Sequence, residues 1–398
     1  MIFARRVLIS SSLFHGLNDA ATVAVPMIFP ILYAQRFIIR SYSQIGLLSN
    51  FGLLTTLLFQ VLVVHLSRKI EYRHLLVASF AGISLSLFLL PLSTGYSQLF
   101  FLYLLFRVFD SFYHTLGMAW VSRTHPRRAI DLAMGIQSGS GMFGVFLAFL
   151  SFGYLAQLTD WRLPLFVWGG ACFLLGLTSY LLIRDHHFSR DPAGRLDMTS
   201  WLETARLIRK YIPGFLFGGA SWAVTIYFAP SLLYHKFAIP MGRTGLFMAV
   251  WIGIGTVTTY LFGPISRRFG RTKAFQVGFA GASLSLFVIG LSPLASLAVI
   301  GLFAFGTFLF VIYPALQSCV GNTCPEAVQP QAFGLASNLQ MLSGALISLL
   351  SGFLSDRYGI SAPFVVMGAL GAAAVVLSSL FLEPGSRDGL DSQPGADP

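Results

Sequence analysis

Twelve apolar stretches of about 20 residues or more recur along the 398-residue chain and constrain its fold more than any other feature. A helix of that length crosses the hydrocarbon core of a bilayer. Only 10% of the residues are charged, against roughly 25% in soluble domains. We therefore predict an all-α membrane protein, with its spans near 7–33, 42–66, 73–94, 97–122, 130–158, 162–183, 211–235, 242–265, 272–293, 295–321, 329–356 and 360–382.

The spans form two sets of six, separated by the longest polar segment, residues 184–210. We expect an N-terminal six-helix bundle over 1–183, a cytoplasmic linker over 184–210 and a C-terminal six-helix bundle over 211–383. The tail, 384–398, is rich in Gly, Pro, Asp and Ser, which predicts disorder. Within the linker, 196–210 has helical spacing and is expected to lie on the membrane surface.

Lys and Arg are unevenly distributed between the two sides of the predicted membrane. Nineteen lie on the side of both termini and six on the other, with Arg107 inside a span. The positive-inside rule places both termini in the cytoplasm, and we expect the plasma (inner) membrane. The net charge of +11 does not indicate a nucleic-acid partner, because the basic residues lie in short clusters between spans.

The chain also contains a weak internal repeat with an offset of 199 residues. Gly135 then aligns with Gly334, and Gly153 with Gly352. Both halves begin on the same side, so the repeats are parallel. Such halves are related by a pseudo-two-fold axis along the membrane normal, with the substrate path at their interface.

Several motifs resemble those of the major facilitator superfamily. Gly263 to Arg271 is similar to the family's loop between the second and third helices of a half, and Arg107-Val-Phe-Asp110-Ser111 to its helix-4 motif. The resemblance implies the fold of two pseudo-symmetric six-helix bundles and a gating loop. The expected gating residues are Arg68, Lys69, Arg267, Arg268, Gly270 and Arg271.

The motifs also depart from the family's pattern. Arg68 and Arg267 stand where the family normally has Asp, so its Asp-based gating contact does not carry over. The Gly-Pro pair of many antiporters is replaced by Ala148 and Phe149.

Other short motifs are most similar to the fosmidomycin-resistance-like efflux group. They are His15-Gly-Leu-Asn18-Asp19, Pro26 and Pro30, Ser43-Gln-Ile-Gly-Leu47 and His125-Pro126. This likeness implies export.

Predicted helices 1 and 4 each carry a face of polar and charged residues. These are His15, Asn18, Asp19 and Thr22 on helix 1, and Arg107, Asp110 and His114 on helix 4, at helical spacings of three, four and seven. Intramembrane charge is costly and commonly functional. We expect Asp19 and Asp110 to exchange protons, with Arg107 as a movable counter-ion. The alternative for Arg107 and Asp110 is a static pair within one helix.

The second half has no Asp, Glu, Lys or Arg deep within its predicted helices. Its candidate cavity residues are Gln317, Asn338, Gln340, Tyr227, Trp222 and Tyr313. Each aromatic residue has the alternative of ordinary core or lipid packing.

We predict a secondary active transporter of a small organic solute, working by alternating access, with proton-coupled efflux, and not an enzyme. Proton-coupled uptake, or a receptor that moves no solute, are the alternatives. No phosphate-binding loop occurs, and the three cysteines lack metal or redox spacing, so neither cofactor nor metal is predicted. The expected partners are the substrate, protons and the lipid bilayer, and the expected state is a monomer.

Overall fold

The computed structural model describes residues 2–381 except 68, 126, 185–197 and 326–327. These residues form helices joined by turns, and no strand occurs among them. The fifteen α-helices are α1 (Ile2–Ala24), α2 (Phe29–Gln35), α3 (Tyr42–Leu66), α4 (Tyr72–Leu89), α5 (Tyr96–Asp110), α6 (Phe112–Thr124), α7 (Arg127–Leu158), α8 (Arg162–Ile183), α9 (Met198–Ile208), α10 (Ile212–Ser231), α11 (Met241–Phe269), α12 (Arg271–Leu291), α13 (Ala295–Thr323), α14 (Gln329–Tyr358) and α15 (Ala362–Phe381).

Eleven helical segments of the described chain are long and apolar enough to cross a membrane, and α15 adds a shorter apolar helix over Ala362–Val376. The predicted all-helical membrane fold is confirmed. Three of these segments include two α-helices each, namely α1 with α2, α5 with α6, and α9 with α10. A 3-10 turn at Pro26–Ile28 separates α1 from α2, where a proline nitrogen cannot donate to the helix. Helices α5 and α6 meet at Ser111.

The predicted helix of the linker is present as α9. Its Thr204 and Ile208 side chains are buried, and Thr204 Oγ1 donates a hydrogen bond to Gln331 Oε1 at 3.2 Å. The helix therefore packs against α14 through this contact. Its place on a membrane surface remains a prediction.

The chain forms two compact units that do not follow its two halves. The first comprises Met1–Leu196, Gly219–Gly253 and Met341–Pro363. The second comprises Asp197–Gly218, Ile254–Gln340 and Phe364–Pro398. Within the first unit, parts of α10, α11 and α14 thus pack with helices of the N-terminal half. The boundaries expected at 184–210 remain a prediction.

Two glycine crossings join the halves of the chain within the first unit. A Cβ added at Gly46 of α3 would lie 3.1 Å from Gly352 Cα in α14. A Cβ added at Gly153 of α7 would lie 3.0 Å from Gly245 Cα in α11. Gly46 and Gly245 are 199 residues apart, as are Gly153 and Gly352. The two crossings are therefore equivalent under the predicted repeat.

Polar side chains cap the helices beside these crossings. The carboxylate of Asp356, in α14, accepts the backbone N–H groups of Tyr42 at 2.7 Å and Ser43 at 2.9 Å. Gln157 Oε1, in α7, accepts the N–H of Gly242 at 2.8 Å. The caps satisfy donors that a helix N-terminus leaves unpaired. Gln157 and Asp356 are again 199 residues apart, so the caps follow the same symmetry.

Candidate functional site

The first cluster of the candidate site surrounds the carboxylate of Asp110. Arg107 Nη1 lies 2.8 Å from Asp110 Oδ2, and these side chains are only 3% and 4% exposed. From α1, Asn18 Nδ2 donates to Asp110 Oδ1 at 3.1 Å and Thr22 Oγ1 donates to the same oxygen at 2.5 Å. The charged faces expected on helices 1 and 4 therefore meet, with two hydrogen bonds from α1 and the ion pair with Arg107 on one carboxylate.

Arg107 also contacts α3, because a glycine leaves room for its side chain. Its Nε donates to the Gly52 carbonyl oxygen at 3.4 Å. A Cβ at Gly52 would lie 3.3 Å from Arg107 Cγ and 2.6 Å from Tyr103 Cε1. The hydroxyl of Tyr103 is in turn 3.2 Å from that of Tyr227 on α10. Rearranging this arginine would thus affect contacts of α1, α3 and α5.

The second cluster surrounds the carboxylate of Asp19. His15 Nε2 lies 3.2 Å from Asp19 Oδ2, and His114 Nε2 lies 3.2 Å from Asp19 Oδ1. Each carboxylate oxygen therefore faces one imidazole. The side chains of His15 and Asp19 are 9% and 11% exposed, whereas that of His114 is 41% exposed, which leaves the cluster accessible from the His114 side.

Glycines of α7 allow this helix to approach the Asp19 cluster closely. A Cβ at Gly141 would lie 2.6 Å from Asp19 Oδ2 and 2.8 Å from His15 Nε2. A Cβ at Gly144 would collide with the backbone of Gly16 in α1. The glycines of α7 thus have a local physical role, which is to bring backbone next to buried charges.

Gln137 is a contributor to the site that was missed from the sequence. Its backbone oxygen lies 2.8 Å from His15 Nδ1, and its Nε2 donates to the hydroxyl of Tyr113 at 2.7 Å. The Tyr113 hydroxyl donates to the Ser11 carbonyl oxygen, also at 2.7 Å. The only signal in the sequence was the position of Gln137 beside the glycines of α7.

The candidate residues of the second half do not form one cluster. In the first unit, the Trp222 ring lies 5.4 Å from that of Trp251, and Tyr227 contacts Tyr103 as described. In the second unit, the Tyr313 hydroxyl donates to the Gly218 carbonyl oxygen at 3.0 Å, and a Cβ at Gly218 would lie 3.8 Å from Gln340 Nε2.

The two remaining amides of the second half show different exposure. Gln317 is exposed and Asn338 is half-buried.

The loop residues expected to act in gating are largely solvent-facing where described. Lys69, Arg267 and Arg268 are exposed. Gly270 has φ +80°, a conformation that favours glycine, and precedes the first residue of α12, Arg271. Arg68 and the side chain of Arg271 lie outside the described residues.

A polytopic helical bundle with charged groups buried inside its spans is an architecture that membrane carriers use. The profile of the Major Facilitator Superfamily matches residues 11–348, and the chain belongs to this family. It is therefore an integral, multi-pass transporter of the secondary type rather than an enzyme, and its substrate is a small molecule.

Similar proteins agree with this assignment. The chain is 24% identical over 325 residues to the uncharacterized MFS-type transporter YuxJ of Bacillus subtilis (strain 168), covering 76% of this chain and 79% of that protein. A bacterial homolog of the human lysosomal transporter Spinster, inward-facing and occupied, matches with TM-score 0.81 at 14% identity over 94% and 96% of the two chains. The nucleoside transporter NupG matches with TM-score 0.74 at 14% identity over 96% and 100%. At these identities the solved structures show the fold alone.

Proposed function

We propose that this transporter exports a small amphipathic organic molecule in exchange for protons, by alternating access. The observation that carries the proposal is the buried Arg107–Asp110 pair and its hydrogen bonds to α1. A charge at the bilayer centre costs about 2.5–3.5 kcal/mol on insertion scales. A static pair would offset that cost within α5 alone, whereas the contacts to Asn18 and Thr22 link the pair to a second span.

Proton binding at Asp110 would change these contacts in a defined way. The ionised carboxylate pairs with Arg107 and accepts hydrogen bonds from Asn18 and Thr22. The protonated carboxyl is neutral, and one of its oxygens carries an O–H group that donates a hydrogen bond. It would hold Arg107 less strongly, leaving the guanidinium free to approach another acceptor. Proton uptake on one side of the membrane would thereby alter how α1, α3 and α5 contact one another.

Asp19, His15 and His114 form the second part of the proposed coupling set. Asp19 directly follows Asn18, which contacts Asp110, on α1. Tyr227 and Trp222, with Tyr313, Gln317, Asn338 and Gln340, are proposed to contact the substrate. Export is favoured by the likeness to the fosmidomycin-resistance-like group. The Lys and Arg distribution supports cytoplasmic termini in a plasma membrane, and we propose a monomer.

The test is substrate-triggered proton movement in liposomes that contain the purified protein, followed with a pH-sensitive dye across a compound panel. We expect a compound that moves protons through the wild type, with the proton flux lost in Asp110→Asn and Asp19→Asn. Asp160→Asn is the matched control, because the Asp160 side chain is 51% exposed and contacts Arg162 and Leu163 at the start of α8. The proton flux of this variant should equal that of the wild type.

Movement of the compound without proton flux, unchanged in both variants, would contradict the proposal. The charges of α1 and α5 would then have a structural role. Loading the compound on either side of oriented vesicles tests direction, and proton-driven accumulation on the cytoplasmic side would replace export by uptake.

A further inference from the structure

We propose that His15, Asp19 and His114 form a binding site for a divalent transition-metal ion of the Zn²⁺ class. The three side chains offer two imidazole nitrogens and one carboxylate oxygen, and these atoms all lie within 4.8 Å of one another. That donor set suits Zn²⁺, Co²⁺ and Ni²⁺. The inference adds a ligand to the site of the proposed function but rests on geometry that is independent of transport.

Two separations, between Asp19 Oδ2 and His15 Nε2 and between Asp19 Oδ1 and His114 Nε2, are close to those expected around a tetrahedral ion. With metal–ligand bonds of about 2.0–2.1 Å, neighbouring ligand atoms lie about 3.3–3.4 Å apart. The separations of Asp19 from His15 Nε2 and from His114 Nε2 are both 3.2 Å. The imidazole rings of His15 and His114 are in edge-to-face contact, with centroids 5.3 Å apart. Both nitrogens therefore converge on the same carboxylate without an intervening side chain.

The surroundings of His15 orient it as a ligand. Its Nδ1 lies 2.8 Å from the Gln137 carbonyl oxygen, and a carbonyl oxygen can only accept, so Nδ1 carries the hydrogen. Nε2 is then the nitrogen left to bind an ion, and it faces Asp19 Oδ2 at 3.2 Å. A backbone carbonyl on the far nitrogen is the usual outer partner of a metal-bound histidine. The Tyr113 ring, 5.0 Å away between centroids, packs against the same imidazole.

The site is accessible from the side of His114. Gly141 has no side chain at the position where a Cβ would crowd Asp19 Oδ2 and His15 Nε2. His114 is partly exposed, so an ion can enter from its side. Three protein ligands leave a fourth position for water or for a donor atom of the transported molecule.

The sequence did not predict this site because its ligands come from two separate spans. The expectation of no metal rested on the cysteines, and the site contains none. His15 and Asp19 are one turn apart, but two ligands on one helix are too few to indicate a metal. His114 joins them only through the packing of α6 against α1.

The experiment is titration of the purified full-length chain with Co²⁺, in lipid nanodiscs and without a histidine tag, followed by visible absorption. We expect one Co²⁺ per chain. His114→Ala and Asp19→Asn should weaken binding by at least about 100-fold, since loss of outer-shell partners alone costs about 10–100-fold. His65→Ala removes an exposed histidine of α3 and should bind as the wild type does.

Wild-type protein that binds no Co²⁺ would overturn the inference, as would equal affinities of His114→Ala and His65→Ala. If the ligand variants fail to fold, X-ray absorption of the Zn²⁺-loaded wild type decides the question. Scattering from two imidazole rings supports the site, and sulfur neighbours or absent imidazole scattering overturn it. If the protein binds the metal but shows no substrate-coupled proton flux, the metal site stands and only the proposed proton coupling is contradicted.

Discussion

At the scale of single residues, Gly141 is the most sensitive position of the site that is not itself charged. We predict that Gly141→Ala lowers the affinity for Co²⁺ and the rate of substrate-triggered proton flux by about tenfold or more, the lower range for outer-shell changes at metal sites. The added methyl group would lie within 3 Å of both Asp19 and His15 and force them apart. Titration and flux measurements check the two effects.

Gly135→Ala is the matched control on the same helix. A Cβ at Gly135 meets no atom within 4 Å. Both variants gain the helix propensity of alanine, but only Gly141→Ala gains a clash. If Gly141→Ala and Gly135→Ala have equal affinities for Co²⁺ and equal proton fluxes, α7 moves aside at no cost. The close approach of α7 then does not hold the Asp19 cluster in place.

Sequence spacing was sufficient to identify the charged faces but not their pairings. It placed His15, Asn18, Asp19 and Thr22 together on helix 1. The structure divides this face, since Asn18 and Thr22 contact Asp110 while His15 and Asp19 meet His114. A small axial shift between two helices changes which side chains meet. That shift depends on packing, such as the α1–α7 crossing at Gly16, which no residue spacing encodes.

At the scale of helices and turns, hydropathy predicted the spans well and their interruptions poorly. The predicted 42–66 and 162–183 coincide with α3 and α8. The boundary between α5 and α6 at Ser111 was not predicted, because Ser is compatible with a continuous helix. The Ser111 backbone indeed keeps right-handed helical angles, φ −66° and ψ −20°, and its Oγ donates to the Val108 carbonyl oxygen at 2.6 Å.

The Asp356 cap of α3 should stabilise the closed arrangement of α3 and α14. Loss of an N-terminal cap costs about 0.5–2 kcal/mol, and the middle of that range changes an open-to-closed ratio about fivefold or more. We predict that Asp356→Ala shifts the distance distribution between spin labels at positions 40 and 357 to longer values. Pulsed electron paramagnetic resonance of the labelled protein in nanodiscs measures this distance distribution.

Asp160→Ala serves as the control for that measurement, because its carboxylate caps α8 within the first half through the Arg162 N–H at 2.7 Å. Its label distances should match those of the wild type. If the distance distribution of Asp356→Ala coincides with those of the wild type and of Asp160→Ala, the crossing of Gly46 and Gly352 alone holds α3 against α14.

At the scale of the whole molecule, the 199-residue offset makes a prediction that single helices cannot. Gly46 contacts Gly352 as Gly245 contacts Gly153, so a substitution at either Gly46 or Gly245 should have the same effect. We predict that Gly46→Val and Gly245→Val each separate their crossing and lower the substrate-triggered proton flux, to a similar extent. Flux in liposomes compares them directly, with label distances across each crossing as the structural readout.

Gly135→Val, which enters open space, should leave the flux unchanged. A loss of flux in only one of the two crossing variants would contradict functional equivalence of the crossings. The repeat itself was detectable in the sequence from a few aligned landmarks. The pairing of Gly46 with Gly352 was not, because an alignment of halves shows which positions correspond and not which positions touch.

The two caps differ in one chemical respect, and this difference breaks the symmetry of the molecule. Asp356 carries a charge at an exposed helix end, whereas Gln157 is neutral. Salt screens exposed charges over about 8–10 Å at physiological strength and more at higher concentrations. Rising ionic strength should therefore loosen the α3–α14 crossing while the α7–α11 crossing holds.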